Sequence, residues 1–255
     1  MKIATWNVNS IRARLPRVTE WLARHQPDVL CLQETKTVDD DFPRAEFEAL
    51  GLHVESFGQK TYNGVAIASR SKPTALVRGL PDDPPDADRR LIAGTFGGVR
   101  VIGVYVPNGT EVGSDRFAFK LTWFRRLRQM LEATATPQDP VLICGDFNVA
   151  PEDRDVYDPE GWRGRLLFHP DEQKALRHLM AWGLVDAFRL HEPQGGHYSW
   201  WDYRSGAFHR GWGLRIDLVL MTETLAARCR AVTIDREARK GEKPSDHAPV
   251  IADLA

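Results

Sequence analysis

Cysteine is scarce in this sequence. The three cysteines, Cys31, Cys144 and Cys229, are odd in number and widely spaced, and no CxxC pair occurs. Neither a disulfide framework nor a thiolate zinc site is expected from such spacing. Cys31 and Cys144 stand inside apolar runs, where a free thiol packs as a small hydrophobic side chain. Together these features favour a reducing, cytoplasmic setting.

Long apolar runs are missing as well. No apolar run approaches the roughly 18 residues that a transmembrane helix needs. The first residues, MKIATWNVNSIRAR, turn polar too early for the apolar core of a secretory leader. We therefore expect no association with a membrane.

The sequence also lacks an excess of basic charge. It has 34 Lys and Arg against 35 Asp and Glu over 255 residues, a formal net charge of −1. Nucleic-acid-binding domains usually show a basic excess, so net charge alone does not indicate one. The arginines are nevertheless clustered, at positions 12–17, 89–90, 125–128 and 204–215. Each cluster fits either a solvated surface or a local binding patch.

Apolar segments predict a mixed α/β fold. Strands are predicted over 2–8, 28–34, 140–148, 214–222 and 248–254, and helices over 14–26, 42–51, 116–135 and 170–184. Four further β-rich runs follow one another between positions 64 and 107 without a helix, so the pattern is not a simple βαβ repeat. No Gly/Ser linker and no tandem repeat divides the chain, and we expect one domain over 1–255.

Polar side chains stand at the ends of five predicted strands. They are Asn7 and Asn9, Glu34, Asp146 and Asn148, Asp217, and Asp246 with His247. Each alone could be a cap or a turn former, but sites in open α/β sheets gather beside strand ends. Carboxylate and amide oxygens without thiolates suit a hard cation such as Mg²⁺ or Mn²⁺. The pattern predicts metal-assisted chemistry on a phosphate ester.

The segment KPSDHAPV places Asp246 directly before His247. In an extended chain neighbouring side chains point to opposite sides, so Asp246 should face the metal and His247 the substrate. Asp217 is then the candidate that orients His247. A Ser–His–Asp hydrolase using Ser245 is the competing interpretation, but the sequence has no GxSxG nucleophile elbow.

Seven segments, in this order and across nearly the whole chain, resemble the exonuclease III family of DNA-repair nucleases. They are ATWNVNSIRAR, PDVLCLQETK, GVYVPNG, VLICGDFNVAP, SWWDYR, GLRIDLVL and KPSDHAPV. LQET, GDFN and SDH alone would indicate only the wider endonuclease/exonuclease/phosphatase superfamily. The resemblance implies a four-layer α/β sandwich with two mixed β-sheets packed face to face and helices outside.

The resemblance also implies a function. We expect a Mg²⁺-dependent nuclease, with Mn²⁺ able to substitute, that cuts the phosphodiester 5′ to abasic sites in double-stranded DNA. A 3′→5′ exonuclease and removal of 3′-phosphate and other blocked 3′ ends are expected side activities. A monomer is expected.

Residue roles follow from the same resemblance. Glu34 resembles the principal metal ligand, and Asn7 and Asp246 its companions, while Asn9 stands where some relatives carry Asp. Asp146 resembles the residue that activates the attacking water, and Asn148 the one that holds the transition-state phosphate. Asp146, Asn148 and His247 are also expected to lie at the metal. Tyr105 and Asn108 resemble phosphate contacts, and Asp217 pairs with His247; whether Asp146 or His247 is the base stays open.

DNA contacts are expected at further positions. Trp200, Trp212 and Leu214 resemble the residues of a pocket for the abasic sugar, and Trp201 could serve in place of Trp200. Arg89 and Arg90 are expected to contact DNA. Gly109, Thr110 and Glu111 stand where some relatives carry an Arg that enters the duplex, so no wedge is expected there.

Two other functions share part of this pattern. A phosphodiesterase acting on lipid or inositol phosphates would share the superfamily residues but not SWWDYR and GLRIDLVL. A DNA-binding module without catalysis would have lost Glu34, Asp146, Asn148, Asp217 or His247, and all five are present.

Overall fold

The computed structural model describes all residues, 1–255. The strands are β1 (Lys2–Asn7), β2 (Val29–Gln33), β3 (His53–Phe57), β4 (Val65–Ser69), β5 (Thr74–Arg78), β6 (Leu91–Phe96), β7 (Val99–Tyr105), β8 (Val141–Asp146), β9 (Leu184–Asp186), β10 (Asp217–Thr222), β11 (Cys229–Ile234) and β12 (Val250–Leu254). The α-helices are α1 (Ile11–His25), α2 (Arg44–Glu48), α3 (Asp115–Thr134), α4 (Pro159–Trp162), α5 (Pro170–Met180), α6 (Ala187–His191), α7 (Ala207–Arg210) and α8 (Glu223–Ala226).

The strands form two mixed six-stranded sheets. One has the order β11-β12-β1-β2-β4-β3 and the other β5-β6-β7-β8-β10-β9. The pairs β1–β2 and β7–β8 are parallel, and the other neighbours are antiparallel. Apolar side chains from both sheets share one buried cluster, so the sheets pack face to face.

Helices cover the outer faces of the two sheets. α1 packs on the first sheet through Val18, Trp21 and Leu22, and α3 and α5 pack together on the second. The layers are therefore helix, sheet, sheet, helix, and the predicted four-layer sandwich is confirmed. No helix is both long and apolar enough to cross a membrane.

Helix α1 begins earlier than the pattern predicted. Its first residue is Ile11, because the Ser10 hydroxyl caps the helix by accepting from the backbone N–H of Ala13 at 3.4 Å. Strands β3, β9 and β11 were not predicted. β11 has only one buried residue, Val232, so no apolar run marks it in the sequence.

The sheet topology brings the polar strand ends together. The carboxyl ends of β1, β2, β7 and β8 lie at one edge of the sandwich, since each parallel pair runs toward it. β10 runs the opposite way and begins there, with Asp217 directly opposite Asp146. The edge at which the polar strand ends meet is thus built from both sheets.

A buried ion-pair network lies next to this edge. Asp155 accepts from Arg215 Nε at 2.7 Å and also from Arg189, while Asp186 Oδ2 lies 2.7 Å from Arg215 Nη2. Asp155 and Arg215 are both almost fully buried. The network ties the segment after β8 to β9 and β10.

We expect Asp155→Asn to lower the free energy of unfolding by about 3–5 kcal/mol. The substitution removes the buried negative charge that Arg189 and Arg215 share. Urea unfolding followed by circular dichroism measures this. Asp153→Asn is the matched control, because Asp153 pairs with Arg163 in solvent and should contribute nothing measurable. Equal unfolding midpoints for the two variants would contradict the expectation.

Candidate active site

Three of the expected functional side chains meet at the sheet edge. The ligand atoms of Glu34, Asp146 and His247 lie within 4.8 Å of one another. Glu34 directly follows β2, Asp146 ends β8 and His247 precedes β12. The convergence expected from the strand ends is present in the structure.

Asn7 bridges the two carboxylates of this cluster. Its Nδ2 donates to Glu34 Oε1 at 2.8 Å and to Asp146 Oδ2 at 2.9 Å. Its Oδ1 accepts from the backbone N–H of Asn9 at 3.0 Å, a bond that only the amide oxygen can make. The oxygen therefore faces away from the carboxylates. In this orientation Asn7 sets the spacing of the two carboxylates, and its role as a metal ligand stays a prediction.

His247 is held by Asp217. Nδ1 of His247 lies 2.8 Å from Asp217 Oδ2, and Nε2 lies 3.7 Å from Asp146 Oδ2. The Ser199 hydroxyl accepts from the backbone N–H of Asp217 at 3.0 Å and fixes the start of β10. As the extended SDH segment implied, the partner of His247 is Asp217 and not its neighbour Asp246.

Ser245 has a structural place. Its side chain is fully buried, and its hydroxyl donates to the Asn7 carbonyl at 2.6 Å and accepts from the backbone N–H of His247 at 3.2 Å. It is therefore not positioned as a nucleophile, and a Ser–His–Asp hydrolase does not fit this geometry.

The charges in the cluster are strongly coupled. Burial alone would lower the pKa of His247, but the charges of Asp217 and Asp146 outweigh it and raise the pKa to about 10. Burial raises the pKa of Asp146 to about 7, with the His247 charge opposing and the Asp217 charge adding to the effect. The two carboxylates thus hold His247 as an imidazolium at neutral pH, and its place among the metal ligands stays a prediction.

Asp246 lies beside the cluster, and its oxygens are engaged elsewhere. Oδ1 accepts from Asn9 Nδ2 and Oδ2 accepts from Trp200 Nε1, both at 3.0 Å. Burial alone would raise the pKa of Asp246, but the His247 charge and these donors lower it. Asp246 therefore stays ionised, and its carboxylate connects the side chain of Asn9 to the indole of Trp200.

Lys36 belongs to the site and was not singled out from the sequence. Its Nζ lies 2.9 Å from Glu34 Oε2 and donates to Asn9 Oδ1 at 2.5 Å. The only signal was its place in QETK, two residues after the expected ligand. Glu34 and Lys36 both have positive φ, at 51° and 53°, and such backbone strain clusters at functional sites.

Asn148 and Asn108 lie together beside Asp146. Asn148 Oδ1 accepts from Asn108 Nδ2 at 3.1 Å, and Asn148 Nδ2 donates to the Val106 carbonyl at 3.0 Å. Its backbone N–H donates to Asp146 Oδ1 at 2.8 Å. The Asn148 side chain is therefore held against the loop after β7, while its backbone is bound to Asp146.

Tyr105 lines the same cleft and is backed by Arg90. Burial, with the charges of Glu34 and Asp146, holds the pKa of Tyr105 well above its ordinary value, so the phenol is a neutral donor. The Arg90 guanidinium lies 4.9 Å from the Tyr105 ring centroid and pairs with Asp88 at 3.0 Å.

The two arginines expected to contact DNA are both engaged within the protein. Arg90 is only 9 % exposed. Arg89 stacks on Phe57 at 4.5 Å and donates to the Pro85 carbonyl at 2.8 Å. Asp88 thus pairs the charge of Arg90, whereas the partners of Arg89 are neutral; the DNA contacts of both arginines stay predictions.

At the same edge of the sandwich, aromatic side chains line a cavity of about 370 Å³. Its walls are Tyr157, Trp162, Trp200 and Trp212, with Asp202, Arg204, Ser205 and Ala207. Trp212 is 37 % exposed and stacks between Arg210 at 4.5 Å and Tyr157 at 5.8 Å. Tyr157 and Trp162 were missed from the sequence, where DVYDPEGW carries no strand or motif signal.

Two residues expected near this cavity are core residues instead. Leu214 is fully buried and packs in the small apolar cluster beneath Trp200, and Trp201 is 1 % exposed among Ala207 and Ala248. Trp200 is the member of the adjacent pair that lines the cavity, because alternation along the extended segment sends Trp201 inward.

The donor set at the cluster fits a divalent metal. Two carboxylate oxygens, from Glu34 and Asp146, are held side by side by one amide group. Such carboxylates repel each other unless a cation lies between them, and oxygen ligands select hard cations. Glu34 and Asp146 are the residues that would hold the ion.

The fold and this site define a class of protein, a metal-assisted hydrolase of phosphate esters. Residues 4–247 match the Endonuclease/Exonuclease/phosphatase family. The chain belongs to that family and, within it, to the exonuclease III branch.

Similarity to two nucleases supports this assignment to the exonuclease III branch. Exodeoxyribonuclease III of Haemophilus influenzae is 38% identical over 266 aligned residues, covering 100% of both chains. The DNA repair nuclease APEX1 of Danio rerio is 31% identical, covering 100% of this chain and 82% of its own.

Two solved structures are similar to this chain over its full length. The 3′ phosphatase NExo from Neisseria, bound to a product DNA hairpin, has a TM-score of 0.96 and 44% identity. An AP endonuclease from Archaeoglobus fulgidus has a TM-score of 0.96 and 42% identity. Each comparison covers 100% of this chain and 99% of the other.

Proposed function

We propose that this protein is a Mg²⁺-dependent DNA-repair nuclease that hydrolyses the phosphodiester 5′ to an abasic site in duplex DNA. It also removes nucleotides and blocking groups from 3′ ends. The observation that carries the proposal is the cluster of Glu34, Asp146 and the Asp217–His247 pair beside an aromatic cavity. The named nucleases and phosphatase among the relatives support the same substrate class.

Each side chain has a distinct part in the proposed reaction. When bound, the metal would polarise the phosphate and offset its charge. Asp146 accepts a proton from the attacking water as the general base, because its carboxylate lies at the centre of the cluster, between Asn7 and His247. His247, an imidazolium fixed by Asp217, donates to a phosphate oxygen and stabilises the charge that develops there.

Asn148, Asn108 and Tyr105 supply the remaining contacts to the phosphate. The two amides touch each other, so they present one rigid donor surface. Tyr105 keeps its proton and adds a neutral O–H donor. Preorganised donors of this kind stabilise a pentacovalent transition state without the cost of reorienting water.

The aromatic cavity is proposed to receive the abasic sugar. Extruding a nucleotide costs unstacking energy, and the cost is smallest where the base is already lost. Trp212, partly exposed over the cavity, offers a flat apolar surface to such a sugar or to a neighbouring base. The protein is proposed to act as a monomer of one domain in the cytoplasm, where its three free thiols stay reduced.

The deciding experiment uses a short end-labelled duplex with one stable abasic analogue, incubated with Mg²⁺ and then with EDTA. A single cut 5′ to the analogue that EDTA abolishes supports the proposal. Shortening from the 3′ end with the analogue intact would make the protein chiefly an exonuclease or 3′ phosphatase. No cleavage at either position would favour a phosphodiester substrate other than DNA.

Trp212→Ala is expected to weaken binding of the abasic duplex about 5- to 150-fold, since stacking on an aromatic side chain contributes about 1–3 kcal/mol. Fluorescence anisotropy in EDTA, where no cleavage occurs, measures the affinity. Leu190→Ala is the control, because Leu190 is 54 % exposed and lies on α6, away from the cavity. Equal affinities of both variants would remove Trp212 from the DNA interface.

A further inference from the structure

Helix α3 buries a lysine behind the active site. The Lys120 side chain is fully buried. A buried ammonium is costly unless its three protons meet acceptors. Its Nζ donates to the Asn148 carbonyl at 2.5 Å, to the Asn108 carbonyl at 3.1 Å and to Glu172 Oε1. All three donors of the group are therefore used.

Glu172 is fixed as firmly as Lys120. It is fully buried, and its second oxygen accepts from the backbone N–H of His169 at 3.0 Å in the capping box at the start of α5. The ion pair thus connects two outer helices to one point behind the cleft. Because Lys120 has no exposed surface, it cannot touch DNA.

The two carbonyls that Lys120 holds belong to residues whose side chains also meet. Asn108 Nδ2 donates to Asn148 Oδ1, so Lys120, Asn108 and Asn148 form a closed ring of hydrogen bonds. Asn148 has a φ of 50°, in the left-handed region, which asparagine tolerates better than most residues with a side chain. The ammonium binds the carbonyl of this residue, and Asp146 Oδ1 accepts from its N–H, so its backbone is fixed on both sides.

We propose that Lys120, fixed by Glu172, is a positioning residue that sets the orientation of the Asn108 and Asn148 amides toward the reacting phosphate. The inference rests on the proposed function, which places these amides at the phosphate. Without the ammonium the two loops lose their shared anchor, and the amides move relative to Asp146. A displacement of about 1 Å in such a group can lower the rate about 100-fold.

The test replaces both members of the ion pair, Lys120→Met with Glu172→Met, so that no unpaired buried charge remains. Replacing a buried pair by apolar side chains often leaves stability unchanged. In this variant, however, the Asn108 and Asn148 carbonyls and the His169 N–H lose a partner, so we expect a lower melting temperature. Below that temperature we expect an unchanged KM for the abasic duplex and a kcat lowered about 30- to 100-fold. A kcat within threefold of the parent would overturn the proposal.

A second experiment repeats these substitutions in a variant that lacks the Asn148 side chain. Asn148→Gly deletes the amide while tolerating the positive φ. In that background the Lys120 and Glu172 changes should lower kcat by a smaller factor than in the parent, because only the Asn108 amide is left to misplace. Losses that multiply would show that the pair acts elsewhere.

Two comparisons complete the design. Glu172→Gln keeps the shape of the side chain, and its single amide oxygen can still accept from Lys120. It should lower the melting temperature, because a neutral amide replaces the carboxylate beside a buried ammonium. Assayed well below that temperature, it should lower kcat about fivefold at constant KM; a parent-level kcat would contradict the proposal. Asp186→Asn weakens another buried ion pair, with Arg215, and should lower the melting temperature without changing kcat. A parent chain that cleaves no abasic duplex would instead refute the proposed function itself.

Discussion

Asp146→Asn is expected to lower kcat for cleavage of an abasic duplex about 10³-fold or more, with the fold retained. The amide is isosteric with the carboxylate, and it can still accept the Asn148 N–H bond through its oxygen. It cannot take a proton from water, and a positioned base contributes about 10²- to 10⁴-fold. Single-turnover cleavage at saturating enzyme measures the chemical step directly.

The control for this variant is Asp158→Asn. Asp158 is an exposed carboxylate that caps α4, and its oxygen accepts from the backbone N–H of Gly161 at 3.0 Å. Its replacement should leave kcat unchanged. If the Asp146 variant kept a rate within tenfold of the parent, Asp146 would not be the base, and His247 would become the candidate.

His247→Asn should have the second-largest effect, a loss of about 10²- to 10³-fold in kcat. The buried imidazolium is a donor aimed at the cluster, and one preorganised donor to the developing charge is typically worth that much. The variant also removes the cation that lies 3.7 Å from Asp146. Binding of the uncut duplex in EDTA should change much less than kcat.

Asp217→Asn provides the graded comparison for His247. It keeps a hydrogen-bonding partner 2.8 Å from Nδ1 but removes the carboxylate whose charge most strongly raises the pKa of His247. Its loss in kcat should therefore fall between those of the parent and His247→Asn. A loss smaller than threefold in both variants would contradict the role of the pair.

Much of the fold was predictable from the sequence, because central strands are buried on both faces. β1, β2, β8, β10 and β12 appear in the sequence as apolar runs. β3 and β11 lie at sheet edges and β9 is three residues long, so their order comes from pairing with a neighbour and leaves little hydrophobic pattern.

The chemistry of the site was also readable from the sequence. The residue types at the strand ends, Glu34, Asp146, Asp217 and His247, specify oxygen ligands and an acid–base pair wherever they meet. The extended SDH segment assigned Asp217 rather than Asp246 to His247, because side chains alternate along a strand. These inferences needed only local geometry.

Only the tertiary structure decided which atoms face which partners. The backbone N–H of Asn9 turns the Asn7 oxygen away from Glu34 and Asp146, and packing buries Leu214. The positions of Lys36 and Lys120 depend on contacts between segments that fold together, such as the 52 residues that separate Lys120 from Glu172. The sequence by itself determined which chemical groups are available at the strand ends. Their orientation, and the buried ion pair behind them, follow from long-range packing, because hydrogen-bond geometry is set by the three-dimensional neighbours of each group.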